Sequence, residues 1–108
     1  MRRVLRFKPR FLDLVLEGRK TATIRPAKGA QYARELILTD GRRRVRARLV
    51  SARTLTLRAA LRYYKREGFS SLKDLREAIL HIYPHLKPNS HVALIEFRPS
   101  GVRRKPGR

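Results

Sequence analysis

The chain has 108 residues, enough for one domain with a core of its own, and no cysteine, which excludes disulfides and thiolate metal sites. Its 28 Lys and Arg against 8 Asp and Glu give a formal charge of +20, and 21 of those cations are arginine. The arginine fork matches phosphate and stacks on bases, so the bias favours nucleic acid over a membrane surface, for which no basic amphipathic helix is evident.

The chain opens Met1-Arg2-Arg3, but Arg6, Lys8 and Arg10 break the apolar residues that follow, so no secretory core is expected. No run approaches membrane-spanning length, and the reading is a soluble, cytoplasmic protein with no membrane partner. Val4–Phe7 is a strand candidate. Pro9–Glu17 predicts a short helix with Phe11, Leu14 and Val15 on one face and Pro9 in its first turn. Gly18 then stops it as a left-handed C-cap.

From Thr21 the alternation Thr, Ala, Thr, Ile, Arg suits a strand that puts Thr21, Thr23 and Arg25 on one side. A strictly regular strand points Lys20 away from Thr23 and Arg25. The three converge only if the turn after Gly18 is still unwinding at Lys20. An ammonium, a hydroxyl and a guanidinium would then seat an oxyanion, a phosphate or a polarised carbonyl. The plain alternative is that Arg19 and Lys20 are solvated turn residues and the threonines fill a β surface.

Pro26–Ala30 reads as a loop, Glu35–Leu38 as a strand, Asp40-Gly41 as a tight turn and Arg42–Val50 as the returning strand. In that return Val45, Ala47 and Leu49 alternate with Arg44, Arg46 and Arg48. With Arg42 and Arg43 at the turn, this ladder is the densest basic patch. It tracks a phosphate backbone, or it is a solvated face whose charges protect a sheet edge.

Thr56 predicts an N-cap for a helix through Leu57, Ala60, Leu61 and Tyr64 toward Arg66, stopped by Gly68. A second helix starts at Ser70 or Ser71, with Asp74 in a capping-box-like position. Its stripe of Leu72, Leu75, Ile79 and Ile82 reads as core. Tyr63 and Tyr64 read as packing residues with wet hydroxyls. His81 and His85 sit four apart, but Pro84 intervenes and no Glu completes a zinc motif, so no metal is expected. His91–Phe97 is a final, largely buried strand. The domain is expected to occupy residues 1–98. Residues 99–108, with Arg103, Arg104 and Lys105, are expected as a disordered basic tail that folds over RNA or is simply solvated. The element order predicts an α+β domain whose strands curl into a small barrel.

With Phe11, the run Gly18-Arg19-Lys20-Thr21-Ala22-Thr23-Ile24-Arg25, Arg66-Glu67-Gly68-Phe69 and Ser71-Leu72-Lys73-Asp74-Leu75 in place, the sequence resembles the ASCH domain family. The resemblance extends through Ile82-Tyr83-Pro84 and Val92-Ala93-Leu94-Ile95-Glu96-Phe97. It implies a small PUA-like β-barrel with about three helices packed around a cleft, tied to RNA or nucleotides. Within the family the chain is most similar to small amidohydrolases that deacetylate N4-acetylcytidine. Their functional lysine, threonine and glutamate fall on Lys20, Thr23 and Glu67, the last across a one-residue gap before Leu72. No cofactor is implied, and a monomer is favoured.

Amide hydrolysis needs a nucleophile, a base and a proton donor for the leaving amine. Thr23 suits the first role if burial and nearby cations make Lys20 a neutral base; Glu67 suits water positioning or proton shuttling. Arg25, with Arg19 and Thr21 beside it, suits developing negative charge or a phosphate. Thr23 holding a water that attacks directly is the other route. A lone Glu67 also reads as a surface ion-pair partner of Lys20 or Arg66. Many members open the next strand with Gly-Asp where this chain has Ala33-Arg34. That difference, the arginine ladder and the basic tail turn the expectation toward an RNA substrate rather than a free modified nucleoside. A non-catalytic RNA-binding module and a ribonuclease using Lys and Glu are the alternatives.

Overall fold

The structure is a computed structural model that describes residues 2–27 and 33–100. Strand β1 (Arg2–Arg6) leads through Phe7 and Lys8 into helix α1 (Pro9–Leu16), where Pro9 occupies the first turn and Gly18, at φ +78°, carries the chain away. Strands β2 (Ala22–Pro26), β3 (Glu35–Thr39) and β4 (Arg44–Thr56) follow. A single turn of helix, α2 (Leu57–Ala60), runs into a 3₁₀ turn at Leu61–Tyr63; then come helix α3 (Leu72–Ile82) and strand β5 (His91–Pro99).

The strands form one five-stranded sheet in the order β1-β3-β4-β5-β2, with β1 and β3 parallel and the remaining pairs antiparallel. The two end strands meet: Arg25 Nη2 on β2 donates to the Arg6 carbonyl at the end of β1, at 2.7 Å. A sheet whose opposite edges touch is curled, and here a side chain rather than a strand ladder closes it. This is the expected α+β architecture of a small curled barrel with about three helices.

Its two faces bury separate cores. Leu5, Phe7, Leu36, Leu38, Val45, Ala47, Ala93, Ile95 and Phe97 fill the inside of the curl, with Leu12 and Val15 of α1. On the other face Ala22, Ile24, Val92 and Leu94 pack against Leu57, Ala60, Leu61, Leu75 and Ile79. Strand β5 serves both, which is why it reads as a continuous apolar run.

Several expectations shift. The Asp40-Gly41 turn is wider than a two-residue hairpin: Asp40 Oδ1 accepts from the N–H groups of Arg42 and Arg43, and the return strand begins at Arg44. That strand then continues to Thr56, bent by a register shift between Leu49 and Ser51, so it pairs β3 with one half and β5 with the whole of the other. The helix after Thr56 is one α turn, capped by the Thr56 hydroxyl accepting from Ala59 N–H, and not a continuous helix to Arg66. Ser71 caps α3 as expected. Its stripe is only half core: Leu75 and Ile79 are buried, whereas Leu72 and Ile82, at the two ends of the helix, are exposed. Inside α1, Leu12 joins Val15 in the core while Phe11 is half-buried. Part of the Pro26–Ala30 loop and the tail residues Arg103, Arg104 and Lys105 lie outside the described residues; Pro99 ends β5.

Gly68 has φ +86°, and a Cβ there would stand 3.1 Å from Leu14 Cδ1 and 3.4 Å from Lys20 Cβ. Gly41 has φ +97° but its nearest atom would be Arg6 Nη1, at 3.9 Å. Both alanine variants should lose about 1–2 kcal/mol to backbone strain. Gly68→Ala should lose more than Gly41→Ala because it also crowds two side chains. Urea unfolding of the two variants checks this, and equal losses would exclude the packing contribution.

Candidate active site

Two turns far apart in sequence are knotted together. The Leu14 carbonyl of α1 accepts from the N–H groups of Arg19 (2.9 Å) and Lys20 (3.1 Å), so the chain is still unwinding from the helix at Lys20. The Arg66 carbonyl accepts from Thr21 (2.7 Å) and Ala22 (3.2 Å), which fastens the 63–69 turn to the start of β2. The condition for Lys20 to join Thr23 and Arg25 is therefore met.

Lys20 and Glu67 are 3% and 1% exposed. Lys20 Nζ donates to Glu67 Oε1 at 2.9 Å and to the Glu67 carbonyl at 3.1 Å. The other carboxylate oxygen, Glu67 Oε2, is buried without a hydrogen-bond partner among the described residues. Around the ammonium stand the rings of Phe11, Phe7 and Phe69, their centroids 5.6, 5.9 and 5.9 Å from Nζ. Ring faces attract a cation, but they cannot replace its water.

Burial accordingly pushes the Lys20 ammonium below the ordinary lysine range, against the attraction and hydrogen bond of Glu67; Arg25 adds a smaller push in the same direction as burial. Burial likewise raises the Glu67 carboxyl, opposed by Lys20 and then Arg25. Both shifts disfavour the charged forms of the pair.

Thr23 is also buried, and Arg25 Nε donates to its Oγ1 at 3.2 Å. The Arg25 guanidinium lies 4.8 Å from the Phe7 ring centroid. Lys20, Thr23, Arg25 and Glu67 all line one cavity of about 320 Å³ between β2, the end of β1 and α3. Its other walls are mainly apolar and include Phe7, Phe11, Phe69, Ile79, Ile82 and Tyr83. That volume lies near the lower end of the ~300–1,000 Å³ usual for ligand pockets and suits a small ring-bearing ligand.

Other expected site residues lie elsewhere. Arg19 is exposed, with its guanidinium 3.9 Å from Glu17. Thr21 precedes the strand and lines a different groove with Arg66, Glu96 and Arg98, so it does not share the cavity with Thr23. Arg43 is not a spare cation: its guanidinium donates to Asp13 Oδ1 (2.6 Å), Asp40 Oδ2 (2.8 Å) and the Pro9 carbonyl (3.2 Å), tying the β3–β4 turn to α1. Arg42 is exposed, as are Arg44, Arg46 and Arg48 on alternate positions of β4. On β4, Arg48 lies between β3 and β5 and Arg46 at the end of β5, while Arg44 pairs with β3 alone, so the ladder borders an edge only at its Arg44 end. Sequence reasoning missed Phe7, Ile82 and Tyr83 as cavity walls. Phe7 and Phe69 carry no local signal that unites them; only the fold does.

A buried pair whose charges are both disfavoured makes a net demand on stability. The Glu67 penalty operates above its unfolded pKa and that of Lys20 below its own, so both act between about pH 4 and 10. At pH 7, Lys20→Met alone should lose about 3–5 kcal/mol, and the loss should shrink as the pH falls and Glu67 protonates. Lys20→Met/Glu67→Leu should match wild type or exceed it by about 1–4 kcal/mol. Denaturant unfolding across this pH range tests both; a double variant as weak as the single one would make the pair a structural support.

No family model matches the chain, and no curated protein matches it. Among solved structures, the hypothetical protein PH0355 superposes with a TM-score of 0.74 at 16% identity, over 93% of this chain and all of that one. An ASCH domain from Lactobacillus crispatus superposes with a TM-score of 0.71 at 16% identity, over 91% of this chain and 79% of its own. A serine-to-alanine mutant of an ASCH protein from Zymomonas mobilis gives 0.64 at 17% identity, over 89% and 68%. The chain has the fold of the ASCH domains.

Proposed function

We propose that the chain is an RNA-associated amidohydrolase that removes the acetyl group of N4-acetylcytidine. The observation that carries this reading is the buried Lys20–Glu67 pair, 2.9 Å apart, on the wall of the same cavity as Thr23. A lysine that burial pushes toward its neutral form, lining the same cavity as a hydroxyl, offers a base and a nucleophile in one small volume.

On this reading Thr23 Oγ1 attacks the acetyl carbon and its proton passes to the neutral Lys20 amine. The carbonyl π pair moves onto oxygen, giving a tetrahedral oxyanion beside the Arg25 guanidinium. Collapse of that intermediate breaks the C–N bond, and the Lys20 ammonium returns its proton to the departing N4. Cytidine leaves, and the acetyl group remains as a Thr23 ester. Water then attacks the ester while the Glu67 carboxylate takes one of its protons; as the bond between Thr23 Oγ1 and the acetyl carbon breaks, the Glu67 carboxyl returns that proton to Thr23 Oγ1, and acetic acid leaves and ionises to acetate in solvent. Arg25 Nε already donates to Thr23 Oγ1, so the hydroxyl's own proton is directed elsewhere, available for transfer. The cytosine ring would rest against the phenylalanine, isoleucine and tyrosine walls.

Acetate release from N4-acetylcytidine, supplied free and within a short RNA, tests the reading. Thr23→Ala and Glu67→Gln should each lower turnover by about 10²–10⁴-fold. A wild-type protein that releases no acetate yet binds RNA in a salt-sensitive way would make the chain a binding module, the reading that the exposed Arg44, Arg46 and Arg48 favour.

The pH profile separates roles further. Rate should rise with pH as Lys20 loses its proton, with a midpoint below the ordinary lysine value of about 10.4. Glu67 raises the Lys20 pKa, so in Glu67→Gln the remaining activity should show that midpoint at lower pH. An unmoved midpoint would take Lys20 out of the base role.

A further inference from the structure

Strand register links the cavity to the arginine ladder through a residue that neither the motif nor the cavity interior explains. Arg6 pairs with Thr39 on β3, and Thr39 pairs with Arg44 on β4, so the three point from one face of the sheet in a single row. That face is outside the curl, since Leu5, Leu36, Leu38, Val45 and Ala47 occupy the inside. The Arg6 guanidinium extends toward the β3–β4 turn, its Nη1 3.9 Å from where a Gly41 Cβ would be. Its carbonyl meanwhile holds Arg25 at the cavity. Arg6 thus has its backbone on the cavity rim and its charge on the outer face.

From Arg6 the row steps two strand spacings, about 9–10 Å, to Arg44, then about 6.7 Å each to Arg46 and Arg48 along β4. The latter step is close to the separation of successive phosphates in a stretched single strand. Beyond it lies an open groove of about 790 Å³ bordered by Arg34, Arg46 and Arg48. Among the described residues, Arg6, Arg44, Arg46 and Arg48 have no ion-pair partner. Of the acids near them, Asp40 is already taken by Arg43 and backbone N–H groups, leaving Glu35, opposite Arg48, as the acid of the row.

We infer that a single-stranded RNA runs from the cavity mouth over Arg6 and along Arg44, Arg46 and Arg48, with one base turned into the cavity and the adjoining phosphates on these four arginines. The inference rests on the reading of the cavity as a base site. It assigns the substrate class: a nucleotide within a single strand, gripped on one side of its base. A duplex is disfavoured, because a paired base would have to leave its partner and its stack to turn into the cavity.

The test is binding of an unmodified fluorescent oligocytidylate of six nucleotides across a salt series, with acetate release from free N4-acetylcytidine measured beside it. For single strands each phosphate contact contributes about 0.7 to the slope of log K against log salt. The variant carrying Arg6→Ser, Arg44→Ser, Arg46→Ser and Arg48→Ser should flatten the slope by about 2.8, and Arg6→Ser alone by about 0.7. Arg58→Ser/Arg62→Ser, on α2 and the 3₁₀ turn, removes as much charge as Arg44→Ser/Arg46→Ser and should leave the slope unchanged. All these side chains are exposed, so the variants should retain the fold. Equal flattening by the two double variants, an unaltered slope in the quadruple variant, or equally tight binding of a duplex overturns the path. The expected slopes without acetate release support the path and remove only the amidohydrolase reading. Acetate release with unaltered slopes does the reverse.

Discussion

The structure depends on keeping a lysine and a glutamate together out of water. Each alone would be costly there, and their mutual hydrogen bond at 2.9 Å offsets only part of that cost. The surroundings are arranged to hold the pair regardless. The Leu14 and Arg66 carbonyls each take two backbone N–H groups, which fixes the 18–22 and 63–69 turns against each other. Gly68 supplies a conformation open to few other residues and leaves room for Leu14 and Lys20. Three of the chain's four phenylalanines surround the ammonium. A pair held this tightly has two accessible proton positions and little freedom otherwise, a fitting arrangement for proton transfer.

The cavity follows from how the sheet closes. Had β1 and β2 continued as a hydrogen-bonded ladder, their side chains would have filled the space between them. Instead Arg25 spans the gap, and the opening is walled by α3 from the second core and by Phe7 and Phe11 from the first. The same guanidinium closes the barrel and holds Thr23 Oγ1, so the geometry of the hydroxyl is tied to the geometry of the fold.

Local chemistry made much of this legible. Pro9 and Gly18 bracket α1, Thr56 and Ser71 cap their helices, and alternation in β4 separates apolar from basic positions. The Lys20–Thr23–Arg25 segment could be proposed from residue types, and Glu67 came from resemblance, since nothing near it in sequence distinguishes a buried acid from a surface one. What stayed illegible was long-range. The pairing of β1 with β3 is parallel and has no hairpin to announce it, so the alignment of Arg6 with Arg44 was hidden. The role of Arg43 depends on Asp13, thirty positions away, and the exposure of Leu72 and Ile82 at the two ends of α3 depends on what the fold packs against that helix. A helical stripe gives the direction of a face but not the extent of what it covers.

Charge and dryness are divided between the two sides of one strand end. At Arg6 the inside of the curl is apolar, and there a cation such as Lys20 is pressed toward neutrality. Outside, the exposed arginines face solvent, where on the proposed reading they would draw a polyanion from a distance. The two requirements conflict within a single pocket: phosphates beside Lys20 would stabilise its ammonium and remove the base, whereas a purely apolar site would bind RNA weakly. On the proposed reading, separating them by one sheet thickness would resolve the conflict, because only the uncharged base would enter the cavity. On the proposed reading, the net charge of +20 would serve recognition without protonating the group on which the chemistry relies.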